Sequence, residues 1–167
     1  MNNQSNKKKY SLFAKFWHWG FVLLFIYGVA KQVDEIKQLE DKFFFQFEIV
    51  FALLFLLLLV IRFVYMSKTQ ETSLPDDTSK IQKIAARTVH LGMYTTLAGT
   101  AITGLLIGLF YWLGFKEGLF IDFLTAIHSL IVNALYWLIA IHIVAAVYHR
   151  LKKDGVWSSM VPFLKEK

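Results

Sequence analysis

The chain has 167 residues, of which 56% are hydrophobic, 17% aromatic and only 18% charged, with a net charge of +6 and a mean hydropathy of +0.48. These values exclude an ordinary soluble domain and leave room for about four spans of about 20 apolar residues each. With no cysteine, disulfides, thiolate metal sites, iron–sulfur clusters and C-x-x-C-H haem attachment are excluded as well.

Apolar stretches cover about 12–30, 43–65, 89–114 and 120–148. The expected fold is therefore all-α, an integral-membrane four-helix bundle in a single domain over 1–167, with spans at about 12–33, 43–65, 88–112 and 122–150. The first stretch, behind Lys7-Lys8-Lys9 and ahead of Gly28-Val29-Ala30, has the marks of a secretory leader. Its length, its Phe16-Trp17-His18-Trp19 run and the three further spans favour a span instead. Between spans two and three, the segment 66–79 with Pro75-Asp76-Asp77 is polar and turn-rich. Ser79 is placed to cap the next helix, and Ile81, Ile84 and Ala85 among Lys80, Lys83 and Arg87 suggest an amphipathic lead-in to span three. Trp157, Met160, Val161, Phe163 and Leu164 place the tail in the same interface.

Basic residues set the orientation. Four precede or open span one (Lys7, Lys8, Lys9, Lys15), five flank the second loop (Arg62, Lys68, Lys80, Lys83, Arg87) and five follow span four (Arg150, Lys152, Lys153, Lys165, Lys167). The other two loops hold three (Lys31, Lys37, Lys42) and one (Lys116). The positive-inside rule then puts both termini in the cytoplasm, fourteen basic residues against four. Topology and anionic lipid account for the positive charge, and no nucleic-acid partner is needed.

The histidines carry the chemistry. His128, His142 and His149 succeed one another at intervals of fourteen and seven residues, which places them on one face of one helix, about 21 Å and 10 Å apart. A ligating side chain at membrane depth points to function. His18 and His142 each lie about two turns inside the cytoplasmic end of their span. Two imidazoles at equal depth on different helices can clamp one haem iron as a six-coordinate, low-spin centre; the plainer reading is that each bonds a backbone group or water. Near the outer face His128 has no histidine to oppose it. Glu48 is a weak carboxylate candidate there, or simply a solvated rim residue. His90 and His149, at the cytoplasmic ends of spans three and four, are expected near each other. Arg62, closing span two, suits a haem propionate or else snorkels to the interface. Gly92, Gly99, Gly104 and Gly108, with Thr96 and Thr100, give span three a run of small residues suited to close helix packing.

Taken together, His18-Trp19, Arg62, His90 with Gly104 fourteen residues on, the His128/His142/His149 series and the ending Met160-Val161-Pro162 resemble the bacterial cytochrome b561 family. That family includes the cytochrome b subunits of nickel–iron hydrogenases, and the resemblance covers nearly the whole chain. It implies an inner haem b held by His18 and His142. It implies an outer haem held by His128 and a second-span histidine fourteen residues before the arginine; here that position is Glu48. The resemblance further implies electron transfer to or from membrane quinone in the inner membrane, in some relatives from superoxide to ubiquinone, and a protein that donates or accepts electrons. A quinone headgroup is expected at Arg87, His90 and His149. The rival reading is a haem-free membrane protein in which Glu48, His128 and Asp122 bind a cation or relay protons; a third is a membrane anchor for a soluble dehydrogenase or hydrogenase.

Overall fold

The computed structural model describes residues 10–33, 35–164 and 166. Four long helices succeed one another: α1 (Leu12–Ala30), α2 (Lys42–Thr69), α3 (Lys80–Trp112) and α4 (Leu119–Lys152), with a 3-10 turn at Ile36–Glu40 and a short α5 (Val156–Met160). All four long helices are long and apolar enough to cross a membrane. The basic run Lys7-Lys8-Lys9 lies outside the described residues.

Local chemistry starts each of the first three helices. Ser11 Oγ accepts from the Ala14 amide at 3.1 Å, Asp41 Oδ1 from Phe44 at 2.9 Å and Ser79 Oγ from Gln82 at 3.3 Å, so each first turn has one of its orphan donors satisfied. Gly118, at φ 101°, turns the chain into α4 in a conformation that a side chain would strain. Lys153 in the left-handed region ends that helix.

The helices run 19, 28, 33 and 34 residues, or about 28, 42, 50 and 51 Å at 1.5 Å per residue. Against a hydrocarbon core of about 30 Å, α1 barely spans, while the other three project beyond it. The expected lead-in over 80–87 is continuous with α3 rather than a separate surface helix. Nothing in that segment breaks helical hydrogen bonding, and Ser79 caps it as it would any helix.

Alternating helix directions produce two ends. Tyr10, the 70–79 loop and α5 gather at one of them, the terminal end, where the Ser11 amide donates to Gln70 Oε1 at 3.2 Å and Trp19 Nε1 donates to the Met160 carbonyl at 3.3 Å. Segments 31–33, 35–41 and 113–118 form the far end. The most extensive helix packing is α3 on α4, and glycines of α3 bring it close to both α4 and α2. A methyl group at Gly92 would stand 3.1 Å from Leu138 Cδ1, and one at Gly99 would stand 3.3 Å from Ile131 Cγ2. On the α2 side, one at Gly108 would meet Ile49 Cδ1 at 2.5 Å. Lipid supplies no hydrophobic drive between helices, so such close approach is what holds them. Buried apolar residues are few, among them Phe21, Leu59, Ala101, Ile121 and Leu135, while Leu23, Leu53, Leu57, Trp137 and Val144 lie exposed on the outside. That is the pattern of a bundle whose outer surface faces acyl chains.

Candidate haem sites of the bundle

At the terminal end all four long helices bring a nitrogen-bearing side chain into one layer. His18 (α1) and His142 (α4) have ring centroids 6.3 Å apart with planes at 58°. His90 (α3) meets His142 edge-to-face at 5.0 Å. Arg62 (α2) places Nη2 3.3 Å from His18 Nδ1, with its guanidinium between the rings of Phe21 and Tyr94, 5.2 and 5.4 Å from their centroids. Among the described residues, the buried Nε of Arg62 and the indole N–H of Trp17 have no hydrogen-bond partner.

These distances can be tested against an iron porphyrin. Two imidazoles on opposite sides of one metal, each bound at about 2.0 Å with about 1.15 Å from nitrogen to ring centre, stand roughly 6.3 Å apart, centre to centre. The His18–His142 pair fits that figure. At 5.0 Å, His90 and His142 are too close to face each other across a metal. Among the described residues, no three His, Cys, Asp or Glu side chains are grouped to hold a bare metal ion. The donor set therefore suits a porphyrin iron, with a guanidinium in place for a propionate.

The far end is built differently. His128 Nδ1 lies 2.8 Å from Thr103 Oγ1 of α3, and a methyl group at Gly104 would stand 3.6 Å from His128 Cε1. Glu48, whose buried Oε1 has no partner among the described residues, does not bond His128. It stands fourteen residues from Arg62, the interval that also separates His128 from His142, and so lies near the level of His128 without reaching it. Asp122 lies exposed in the first turn of α4, so the Glu48, His128 and Asp122 grouping expected of a cation site is not assembled.

His90 and His149 are not neighbours in the sense expected. His90 lies at the level of His142, and His149 is two turns farther along α4, about 10 Å away, with Nδ1 2.6 Å from Asp154 Oδ2. Arg87 is exposed on α3. Hydropathy starts span three at about 88 and so puts His90 near the surface, while α3 itself begins at Lys80 and its packing sets the His90 ring beside His142. Neither Thr103 nor Asp154 stands out in the sequence. Thr103 precedes Gly104, which is fourteen residues from His90, and the same interval that separates His142 from His128 levels this turn of α3 with His128.

The sequence profile of the prokaryotic cytochrome b561 family matches residues 9–163. The chain belongs to that family. It is thus a multi-pass membrane protein and a b-type cytochrome engaged in electron transfer. Comparison with curated proteins and with solved structures finds no match. The membership leaves the haem-free cation reading without support. For this cytochrome it also gives the four-helix layer of His18, Arg62, His90 and His142 a chemical context that spacing alone could not supply.

Proposed function

We propose that this cytochrome holds a haem b between His18 and His142 and exchanges electrons with membrane quinone at the cytoplasmic face of the inner membrane, both termini lying on that side. The observation that carries the reading is the 6.3 Å separation of two imidazoles on α1 and α4. Haem b would supply a one-electron iron couple, and His18 and His142 are the residues that would hold it. His90, edge-on to His142, fixes that ring's orientation.

Arg62 has two uses for one guanidinium. A guanidinium only donates, so His18 accepts at Nδ1 and the proton of the neutral ring stands on Nε2. For His18 to hold the haem through Nε2, the ring proton would have to stand on Nδ1 and that nitrogen turn from Arg62, whose paired donors would then be free for a propionate carboxylate. Quinone is assigned to the same end, where Arg87, His90 and His149 are spread over about two turns of helix and offer hydrogen-bond donors to a headgroup, with His149 oriented by Asp154. A second haem is assigned to His128 alone among the imidazoles. Glu48 stands where the family resemblance expects the opposing histidine and offers at most a weak carboxylate. A redox protein at the outer face completes the electron path.

The test is a reduced-minus-oxidised absorption spectrum of the purified protein with a pyridine haemochromogen count, and then addition of a short-chain quinol. Low-spin b-type absorption that quinol reduces is the expected result. Protein expressed with ample haem that binds none overturns the assignment; haem that quinol leaves oxidised overturns the quinone part alone.

A further inference from the structure

At the far end one hydroxyl decides what His128 can do. Thr103 Oγ1 is 2.7 Å from the Gly99 carbonyl oxygen and 2.8 Å from His128 Nδ1. A hydroxyl carries one proton. Two oxygens at 2.7 Å need that proton between them, because the carbonyl has none to give. The hydroxyl is therefore the donor to Gly99, and toward His128 it is an acceptor. Nδ1 must then carry the imidazole proton, which leaves the lone pair on Nε2.

We propose that Thr103 is a positioning residue for the far-end metal site: it holds His128 as the tautomer that presents Nε2 to iron, and it fixes the plane of the ring. The proposal rests on the assignment of a second haem to His128. Metal-ligating histidines usually give their other N–H to a fixed acceptor, which orients the ring and raises its basicity. What is particular here is that the acceptor comes from the neighbouring helix and is itself locked by the α3 backbone. Gly99, whose carbonyl accepts the Thr103 proton, is also where α3 lies against Ile131 of α4, so helix packing and ring orientation are set by one turn of α3. The two ends differ in this respect, since His18 Nδ1 faces a group that can only donate.

Two variants test it. Thr103→Val keeps the shape and removes the hydroxyl, and Thr103→Ser restores the hydroxyl without the methyl. Haem b per chain, haem retention against a competing haem-binding protein, and the iron–histidine stretch by resonance Raman are read for each. In the valine variant, far-end haem retention should fall roughly 10- to 100-fold, the loss typical when a ligand's outer partner is removed. The iron–histidine stretch should move to lower frequency, the near-end low-spin spectrum should stay unchanged as the check on folding, and serine should recover both far-end readouts. Two haems in the parent protein with an unchanged far-end stretch and retention in Thr103→Val overturn the role of Thr103 alone. One haem in the parent protein overturns the second-haem assignment and the proposal with it.

Discussion

Two layers of the same bundle, about 21 Å apart along α4, solve different problems with the same side chain. At the terminal end each of four helices contributes, with His18, Arg62, His90 and His142 in mutual contact. At the far end a single imidazole, His128, is held by a neutral hydroxyl, and the carboxylate on α2 does not bond it. The terminal-end layer is redundant in nitrogen and carries a positive charge; the far-end layer is sparse and depends on one tautomer. A cofactor held by opposed imidazoles tolerates the loss of an outer partner better than one held from a single side. The terminal end is also covered: α5 and the tail bring the Met160 carbonyl to Trp19 and the Phe163 ring within 5.1 Å of the Trp19 ring.

The largest expected effect tests the inner pair. His142→Ala should abolish the inner low-spin signal and lower the haem count by about one per chain, while His149→Ala should leave both intact; a normal low-spin spectrum in His142→Ala would rule out the ligand assignment. Next, Glu48→His should create or strengthen a low-spin centre at the far end, making the two layers alike. An unchanged spectrum and haem-to-protein ratio would mean that the α2 position cannot reach the iron. Arg62→Gln should weaken inner haem retention by about 10-fold, at the lower end of what removal of an outer partner causes, with the far-end haem unaffected; equal weakening at both ends would point to general loosening of the bundle. The smallest effect concerns the cover. Trp19→Phe removes the hydrogen bond to Met160 and should cost about 1 kcal/mol, seen as faster hydrogen exchange over 156–163 and no change at the far end.

Much of this architecture is legible in the residues alone. Four apolar stretches announce four helices because lipid demands that backbone groups be satisfied within the segment. Ser79 announces its cap because a serine before a helical pattern has one obvious donor to satisfy. Equal depth for His18 and His142 comes from the rise per residue, and the structure brings their rings to 6.3 Å. The small-residue run in span three reads as packing, and Gly92 and Gly99 lie against α4. Less legible are contacts that depend on helix rotation. His90 reads as a residue near the cytoplasmic surface, and its contact with His142 depends on how α3 turns against α4.

The sequence by itself determined the membrane class, the four helices and the level of His18, His128, His142 and His149, which come from composition and from distance along one chain; the departure at Glu48 stands out only against the family the chain resembles. Only the tertiary structure decided that Arg62 reaches His18, that His142 lies beside His90, that His149 is paired with Asp154, and that Thr103 meets the His128 ring. The physical reason is the same for most of these. Depth along a helix is fixed by 1.5 Å per residue, whereas the azimuth of a side chain and the helix it meets are set by how neighbouring helices pack, here through glycines that let α3 settle against α4.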